Sequence, residues 1–567
     1  MKMLRIFRGR YAPDPTPDVP RKSTKGNRLQ IVLINQSQPV KLLFQNFFGY
    51  FFIKKSDTRP LLIRMKGMVI NMKYISTRDK SVKLSGAEAI LLGLSRDGGL
   101  LVPETVPTLT ESDMTALLGM RYPERSGYIM SLFLDDFTRE ELTAFATEAY
   151  GPAKFDNGEA APIVPIGDDK TRLMELFHGP TSAFKDVALQ MLPRLLSASL
   201  LKTGETRTVC ILVATSGDTG KAALEGFSDV PGTKIMVFYP RDGVSDVQKL
   251  QMKTQSGNNV GVCSVVGNFD DTQTGVKEIF SDEGFRADID SNGYFLSSAN
   301  SINWGRLLPQ IVYYVSAYCE LVNDGSIKPG DEINFCVPTG NFGNILAGYY
   351  ARKMGLPVRH LICASNKNDV LTEFISTGHY NRKREFFTTA SPSMDILVSS
   401  NLERLLFDVS GNDDKLVAGY MDSLGAKGNY SVSAEIRAEI QSIFKCGSCD
   451  DVRTKEIIGR VFKEKKYLLD THTAVAYGVL EDYRAATGDD TITVVVSTAS
   501  PFKFADNVLD ALRQPSGGNG FELIDRLEIA GALTAPTPLK ALRGMPVRFE
   551  GFVEKEKMPQ VVRDFLR

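Results

Sequence analysis

Cysteine is scarce in this chain, and its distribution excludes a disulfide framework. The 567 residues include seven cysteines, an odd number scattered along the sequence. Such usage is typical of reduced thiols in a cytoplasmic protein. Cys446 and Cys449 have the spacing of a metal-binding knuckle, but a structural zinc needs about four ligands, and no second CxxC or CxxH pair completes the set. We therefore expect no metal site, and interpret these two residues as surface thiols in a turn.

Excess charge is absent too, which removes any global electrostatic argument for a nucleic-acid or membrane partner. The chain contains 67 Lys or Arg and 67 Asp or Glu, so its formal net charge is zero. Its apolar run LLFQNFFGYFFI is shorter than the roughly 20 residues that a membrane-spanning helix needs. We expect a protein that binds neither nucleic acid nor membrane.

The basic residues are nevertheless concentrated at the start of the chain. Residues 1–71 contain 14 Lys or Arg against three Asp and no Glu. A mitochondrial transit peptide has a similar bias, but this segment lacks the serine richness of that class. Met72 then opens a stretch with the patterning of a globular domain. We expect residues 1–71 to be a dispensable extension, either disordered or a non-native start, and the working protein to begin near Met72.

Internal repeats and long low-complexity tracts are both missing from the rest of the sequence. Residues 72–165 have apolar positions at helical spacing, which predicts a mostly helical N-terminal domain. From about residue 205, short apolar strands alternate with helices, as is typical of parallel sheets covered on both faces. We predict an α/β fold for residues 166–510, with an inserted helical or lid region at 365–470 and a C-terminal segment at 511–567.

The loops that follow the predicted strands are the candidate ligand sites, because parallel sheets bind ligands at the carboxyl ends of their strands. VPTGNFGNILAGYY places a glycine-rich turn between a buried strand and a helix. Backbone amides at such a turn, aided by the helix dipole, form a cradle for phosphate. Close packing of a helix on a strand also selects glycine. The candidate cradle consists of Gly340, Asn341, Phe342, Gly343 and Asn344.

A second loop, ATSGDTGKAAL, resembles a nucleotide-binding P-loop only superficially. The Walker pattern has four residues between its first glycine and the Gly-Lys pair, whereas two residues separate Gly217 from Gly220 here. We therefore exclude ATP or GTP at this loop. Its hydroxyls and amides suit a small anion such as a carboxylate, and the candidate ligands are Ser216, Gly217, Asp218 and Thr219.

Two more segments offer polar side chains to the same region. SSANSINWGRLLPQ surrounds the only tryptophan and presents Asn303 and Arg306 to a phosphate or a carboxylate. The alternative there is a helix capped by Ser301 with an exposed arginine. VVVSTASPFKF ends a strand at Ser497 and Thr498, whose hydroxyls either meet a ligand or cap the next helix.

The segment FHGPTSAFKDVAL raises the question of a reactive amine. Its Gly-Pro turn, with Thr181 or Ser182 as a cap, places Lys185 in the first turn of a helix. The positive end of the helix dipole and an apolar setting both disfavour the ammonium form. A neutral amine forms a Schiff base with an aldehyde, whereas the alternative is an ordinary surface lysine. Together with a phosphate cradle and a carboxylate loop, this lysine suggests pyridoxal phosphate as cofactor.

The segments HGPTSAFKD, SGDTG, NSINWGR, PTGNFGN and STASPFKF, in this order, resemble those of threonine synthases of the long bacterial and fungal form. These are pyridoxal-phosphate enzymes of the tryptophan-synthase-β fold, also called fold type II. The resemblance spans nearly all of residues 72–510 and implies two open parallel-sheet α/β domains. MKYISTRDK is similar to an amino terminus of this family.

The resemblance also implies roles for individual residues. Lys185 matches the lysine that holds the cofactor, and the 340–344 loop matches the one that binds its phosphate. Thr498 matches the hydroxyl partner of the pyridine nitrogen, with Ser497 as the fallback. The SGDTG loop would hold the substrate carboxylate, and the candidates for the substrate phosphate are Asn303, Arg306 and Ser182. Ser500 and Phe502 depart from the family's pattern, which leaves the substrate detail open.

The activity implied is that of a cytoplasmic lyase, monomeric or homodimeric, that makes threonine in the last step of its biosynthesis. O-phospho-L-homoserine would lose its γ-phosphate, water would add at Cβ, and Lys185 would act as general acid and base. One alternative is a phospholyase that releases 2-oxobutyrate from the same substrate. The other is a non-catalytic binding protein of the same fold, which would be expected to have lost the lysine.

Overall fold

The computed structural model describes residues 50–53, 61–64 and 72–567, apart from Ser216 and residues 242–243. Within these ranges, no helix is both long and apolar enough to cross a membrane.

The chain divides into two compact units, Met1–Ile70 and Asn71–Arg567. In the first unit, strands β1 (Tyr50–Ile53) and β2 (Leu61–Arg64) pair antiparallel. The expectation about the rest of the extension concerns residues outside the described ranges and stays a prediction.

The second unit begins with a mostly helical region, as predicted for residues 72–165. Its helices start where polar side chains cap free backbone amides: Ser85 and Thr110 each form a reciprocal capping box with an acidic residue three positions on. The elements are β3 (Tyr74–Ser76), α1 (Gly86–Leu92), β4 (Leu101–Pro103), α2 (Glu111–Leu118), α3 (Tyr122–Phe133) and α4 (Arg139–Ala149).

Two largely parallel sheets follow, which confirms the predicted α/β class. The six-stranded sheet has the order β15-β12-β11-β16-β6-β5, with only β5 antiparallel to its neighbour. The five-stranded sheet has the order β10-β7-β8-β9-β17 and is parallel throughout. The strands are β5 (Ile163–Pro165), β6 (Thr171–Glu175), β7 (Thr208–Ala214), β8 (Thr233–Pro240), β9 (Val260–Val265), β10 (Tyr294–Ser297), β11 (Ile333–Pro338), β12 (Val358–Ser365), β15 (Phe444–Ser448), β16 (Thr493–Ser497) and β17 (Phe552–Val553).

Helices complete the unit, together with a small two-stranded antiparallel sheet of β13 (His379–Asn381) and β14 (Asn429–Ser431). The helices are α5 (Lys185–Thr203), α6 (Asp218–Phe227), α7 (Asp246–Lys253), α8 (Phe269–Ser281), α9 (Glu283–Ser291), α10 (Trp304–Asn323), α11 (Gly343–Lys353), α12 (Val370–Thr377), α13 (Leu402–Val409), α14 (Asp414–Lys427), α15 (Ala434–Ile443), α16 (Asp451–Lys465), α17 (Thr471–Thr487), α18 (Ala505–Ala511), α19 (Gly520–Gly531), α20 (Thr537–Ala541) and α21 (Met558–Leu566). Short 3-10 turns lie at Asp156–Gly158, Pro392–Met394, Pro501–Phe504, Leu542–Gly544 and Lys555–Lys557.

Both faces of the central strands are buried, because successive side chains of a strand point to opposite faces. In β11, Phe335 and Val337 belong to the apolar core that includes α10, whereas Cys336 belongs to the core that includes α17. In β7, Ile211 and Leu212 divide in the same way between two cores. Continuous apolar strands are the sequence signature of this arrangement.

Two sequence interpretations need correction at the edges of the sheets. Cys446 lies in edge strand β15, and Cys449 follows it with 2% of its surface exposed, so they are not surface thiols in a turn. The region 365–470 therefore adds a strand to the large sheet besides its helices. The segment 511–567 likewise reaches a sheet, because its strand β17 pairs with β9.

Candidate active site

A cavity of about 1880 Å³ opens at the carboxyl ends of strands from both sheets. Ala214, at the end of β7, and Pro338, at the end of β11, both line it. The predicted site residues that line it are Lys185, Asp218, Thr219, Arg306, Thr498 and the five residues of the 340–344 loop. The fold therefore brings together most of the segments that the sequence singled out.

Lys185 is the first residue of α5, which confirms its predicted place in the first helical turn. It is 9% exposed. Burial lowers the pKa of its amine to about 8; Asp218 raises that pKa, and the cations Arg306 and Lys503 lower it. Its Nζ lies 3.8 Å from the nearer Asp218 carboxylate oxygen and 3.4 Å from Ser393 Oγ. An amine in this setting holds a larger neutral fraction at pH 7 than a surface lysine does.

Asp218 is the counter-charge for two buried lysines. Its Oδ1 lies 2.8 Å from the Nζ of Lys503 and accepts a hydrogen bond of 2.8 Å from Gln248 Nε2. Burial alone would raise the pKa of Asp218, but the ammonium groups of Lys503 and Lys185 outweigh it and hold that pKa well below its usual range. The carboxylate is therefore ionised beside Lys185.

The turn before Lys185 is held by the next residue, Asp186. Its two carboxylate oxygens accept hydrogen bonds of 2.6 and 2.8 Å from the hydroxyl and backbone N–H of Thr181. Neither Thr181 nor Ser182 caps α5, because the N-cap position is Phe184, without a side-chain cap. Burial raises the pKa of Asp186 to about 6, although the bonds from Thr181 lower it.

Ser182, a predicted contact of the substrate phosphate, does not line the cavity. Its side chain is fully buried, and its hydroxyl makes no hydrogen bond within the described part of the chain. Its backbone accepts a bond of 3.1 Å from Ser500 N, while Phe184 N donates to Thr498 O at 2.8 Å. These bonds fix the segment before Lys185 against the end of β16.

The 340–344 loop follows β11 and runs into α11, whose first two residues are Gly343 and Asn344. Phe342 adopts φ +60°, a left-handed conformation that is uncommon outside glycine, and its ring packs on Phe444. A Cβ added to Gly340 would lie 2.7 Å from the carbonyl oxygen of Ser393, so no larger residue fits. Among the described residues, no acceptor takes the backbone N–H groups of positions 341–344. They are available to an anion at the positive end of α11.

Asn344 supplies a buried polar group to this loop. Its Oδ1 accepts hydrogen bonds from the hydroxyls of Tyr313 and Tyr314, at 2.5 and 2.8 Å. Its Nδ2 is buried, with no partner among the described residues. A buried donor of this kind is costly unless a ligand pairs with it.

At the end of β16, the geometry separates Thr498 from its fallback Ser497. Thr498 lines the cavity, and its hydroxyl makes no hydrogen bond with the described residues. The hydroxyl of Ser497 instead lies 3.0 Å from that of Thr473, away from the cavity wall. Thr498 is the one of the two that a bound ligand would meet.

The loop predicted to hold a carboxylate differs from expectation in one respect. Thr215 Oγ1 accepts the backbone N–H groups of Gly217 and Gly220, at 3.0 and 2.9 Å. Those two amides are therefore used within the protein, and Gly217 is not on the cavity wall. Thr219 is on it, and the prediction for Ser216 falls outside the described residues.

Of Arg306 and Asn303, only Arg306 lies on the cavity wall. Arg306 lines the cavity, where burial lowers the pKa of its guanidinium to about 10. Its Nη1 donates to Ala299 O at 2.9 Å, and this is the only hydrogen bond of the guanidinium within the described ranges. Asn303 is buried off the cavity and caps α10 with a bond of 2.8 Å from Gly305 N. Asn303, and not the alternative Ser301, is therefore the cap of α10, and the substrate role predicted for Asn303 finds no support in its position.

Three residues of the site were missed from the sequence. Lys503 was within a quoted motif, but its Nζ also donates to Thr181 O at 2.8 Å, which only the fold reveals. Ser393 reaches Lys185 from the 365–470 region, and its backbone N–H donates to His472 Nε2 at 3.2 Å. No local signal marks Ser393 or His472, because both reach the site through chain connections of more than 200 residues.

These residues fit pyridoxal 5'-phosphate. A buried lysine of lowered pKa suits an aldehyde, and the unpaired amides of the 340–344 loop suit a phosphate. The orphaned Asn344 Nδ2 provides a further donor in the same cradle. Lys185 and Arg306 also line the cavity as buried cations, which favours an anionic ligand beside them.

The chain is similar to known protein families over most of its length. Three family models match: "Threonine synthase N terminus" over residues 73–150, "Pyridoxal-phosphate dependent enzyme" over 173–498, and "Threonine synthase, C-terminal" over 473–564. The second of them covers more than half of the chain.

Relatives in sequence and in structure agree with these matches. Threonine synthase of Pseudomonas aeruginosa is 41% identical over 77% of this chain and 90% of its own length. Human threonine synthase-like 1 is 39% identical over 78% of this chain but only 60% of its own length. The crystal structure of PLP-bound threonine synthase from Brucella melitensis superposes with a TM-score of 0.77 at 37% identity, covering 88% of this chain and 100% of that one. The chain belongs to the threonine synthase family of pyridoxal-phosphate-dependent enzymes.

Proposed function

We propose that this protein is a threonine synthase, which converts O-phospho-L-homoserine and water into L-threonine and phosphate. The observation that carries the proposal is the buried Lys185, whose amine faces Asp218 in the same cavity as the unpaired amides of the 340–344 loop. The comparisons agree with this activity and favour neither the phospholyase nor the non-catalytic binding protein.

Pyridoxal 5'-phosphate is the cofactor, and four parts of the cavity would hold it. Lys185 would bind its aldehyde carbon, the 340–344 amides and Asn344 Nδ2 its phosphate, and the Thr498 hydroxyl its pyridine nitrogen. When bound, the cofactor supplies an electron sink for negative charge that develops beside the substrate amine. A neutral hydroxyl at the ring nitrogen makes that sink milder than a carboxylate would.

Lys185 is the group placed to move protons once the substrate amine has displaced it. Its amine takes the proton from the substrate Cα and returns a proton later, with a pKa of about 8 that suits both directions near neutral pH. Between these steps a proton leaves Cβ, the bond between Cγ and the phosphate oxygen breaks, and Cγ takes up a proton to become the methyl group. Water then adds its hydroxyl at Cβ and releases its other proton. The carboxylate of Asp218 stabilises Lys185 in its ammonium form, that is, while the amine holds the proton taken from the substrate.

The substrate's charged groups match the remaining polar residues. The guanidinium of Arg306 has nitrogens free of other described partners and is a candidate for the substrate phosphate. Thr219 and the helix α6 that begins at Asp218 remain the candidates for the substrate carboxylate. Asn303 and Ser182 are not part of the proposed site because they lie off the cavity.

The product distinguishes this proposal from its alternatives. Purified protein supplied with O-phospho-L-homoserine is expected to release threonine and phosphate in equal amounts; 2-oxobutyrate as the main product would identify the phospholyase. Lys185→Ala should abolish both turnover and covalent retention of the cofactor. Lys221→Ala is the matched control, because that lysine is also buried but pairs with Glu225 away from the cavity wall. Full cofactor retention by Lys185→Ala would contradict the assignment.

The proposal includes the cytoplasmic location and the monomeric or homodimeric state expected from the sequence. All seven cysteines are free thiols, and six of them are buried, which is consistent with a reducing compartment. Light scattering on the purified protein tests the assembly state.

A further inference from the structure

Two side chains, Ser399 and Asn401, donate hydrogen bonds to carbonyl oxygens of the 340–344 loop, and a third, Arg404, holds Asn401 in place. We call Ser399, Asn401 and Arg404 the carbonyl clamp. Ser399 Oγ donates to Gly340 O at 2.9 Å, and Asn401 donates to Asn341 O twice, through Nδ2 at 3.0 Å and through its backbone N at 3.2 Å. The clamp thus takes the two carbonyl oxygens that open the loop.

Arg404 anchors the clamp to distant parts of the chain. Its guanidinium donates to the side-chain oxygen of Asn401, to Leu101 O at 3.1 Å and to Ile302 O at 2.5 Å. Leu101 belongs to the N-terminal region, and Ile302 lies just before α10. One planar side chain therefore holds three separate segments in register.

Burying this arginine is costly, which argues that its position is needed. Arg404 and Asn401 are both fully buried, and every hydrogen bond of the guanidinium goes to an uncharged oxygen. A buried cation without a bonded carboxylate stabilises a fold less well than apolar packing of the same volume. Packing alone therefore does not account for an arginine here.

The direction of the clamp's bonds links it to the anion site. A peptide unit whose carbonyl is held on one side presents its N–H to the other side, because the group is planar and trans. With the carbonyls of Gly340 and Asn341 turned to the clamp, the amides of Asn341 and Phe342 are turned the other way. The loop cannot relax freely, since a Cβ on Gly343 would already lie 3.3 Å from Asn401 Nδ2.

We infer that Asn401 and Arg404 are positioning residues that fix the loop for the cofactor's phosphate, and so set the preference for the phosphorylated cofactor over pyridoxal. This rests on the proposed function, which places the phosphate at the loop. The clamp touches neither the cofactor nor the substrate; it acts through the orientation of two peptide units.

The test compares two ligands that differ only in the phosphate. The full chain, freed of cofactor, is titrated with pyridoxal 5'-phosphate and with pyridoxal, and binding is followed by visible absorption. Asn401→Asp is the main variant: it keeps the size and the acceptor for Arg404, but it removes the side-chain donor to Asn341 O and sets a carboxylate against that carbonyl, leaving only the backbone N–H bond. We expect the Kd for pyridoxal 5'-phosphate to rise about tenfold or more, and that for pyridoxal to change less than about twofold.

Ser410→Ala is the matched control, because its hydroxyl lies at the far end of the helix that carries Arg404, where it donates to Phe407 O and accepts from Asp413 N, and it makes no bond to the 340–344 loop or to the clamp. It should alter neither Kd. Ser399→Ala, which removes only the bond to Gly340 O, repeats the test should Asn401→Asp fail to fold.

Either of two results would overturn the inference: an unchanged Kd for pyridoxal 5'-phosphate, or equal losses for the two ligands, which would reveal a merely structural role. Failure of the unsubstituted chain to bind either ligand would instead refute the cofactor assignment itself, and would be seen before any variant is made.

Discussion

At the scale of single residues, the chemistry of Lys185 depends on four charged groups that the fold places around it, Asp218, Arg306, Lys503 and Asp186. With a pKa of about 8, a lysine amine is about one-tenth neutral at pH 7, far more than at its ordinary value. Asp218 opposes this effect and Lys503 supports it. Single substitutions of these neighbours can therefore either raise or lower the pKa of the amine, and with it the neutral fraction that reacts.

Substitutions of the two neighbours should move the pKa of Lys185 in opposite directions. Asp218→Asn removes an anion that favours the ammonium form, so the pKa should fall below its present value. Lys503→Met removes a cation that disfavours that form, so the pKa should rise. The measurement is the rate at which cofactor-depleted protein captures pyridoxal 5'-phosphate as a function of pH, because only the neutral amine reacts. Shifts in the same direction would contradict the charge arrangement described here.

At the scale of secondary-structure elements, α5 carries Lys185 at its start and a proline in its interior. Pro193 has no N–H, so the carbonyl of Leu189, four residues earlier, has no helical partner. Gly226 of α6 approaches that carbonyl so closely that an added Cβ would lie 1.9 Å from Leu189 O. The missing side chain at Gly226 is what allows the two helices to pack at this point.

Gly226→Ala should therefore destabilise the protein. The clash is with backbone rather than with a flexible side chain, so we expect a loss of about 3 kcal/mol or more in the free energy of unfolding. Chemical denaturation followed by circular dichroism measures it.

Gly419→Ala is the matched control for this substitution. Gly419 lies in α14 with no atom within 4 Å of the added Cβ, so alanine there should stabilise the helix by up to about 1 kcal/mol. If the two substitutions changed the free energy of unfolding equally, helix propensity rather than close packing would explain the effect at both positions.

Local sequence signals predicted some of these elements but not how every helix is capped. The helix beginning at Lys185 and the strand-loop-helix around 340–344 could be predicted, because apolar periodicity and glycine spacing are local signals. The cap of α10 could not be predicted, because Ser301 and Asn303 are both good cap residues. Asn303 is the cap in the structure, where it also packs against α1 and its Nδ2 donates to Ile90 O at 3.0 Å.

At the scale of the whole molecule, residues 72–567 contain every group assigned to the site. The family models match from residue 73 onward, and the compact unit that holds the cavity begins at Asn71. The prediction that residues 1–71 are dispensable follows from the same boundary.

A protein that begins at Met72 should fold and retain full activity. Its melting temperature and its kcat/KM for O-phospho-L-homoserine should match those of the full chain, because no proposed contact with cofactor or substrate comes from the removed segment. A variant that begins at Leu84 is the control: it also lacks β3, which pairs with β4, and it should be destabilised. Loss of folding in the Met72 protein would contradict the prediction.

The sequence by itself determined the α/β class, the order of the loops that carry polar groups, and the identity of Lys185 as the candidate nucleophile, since each depends on neighbouring residues. Tertiary structure decided which of those groups share a cavity. It left Asn303 and Ser182 off the cavity wall, placed Thr498 rather than Ser497 on that wall, and brought Lys503, Ser393 and the carbonyl clamp into contact with the predicted site segments. The physical reason is that burial, pairing of charge and the direction of a peptide group depend on segments hundreds of residues apart, which no local pattern specifies.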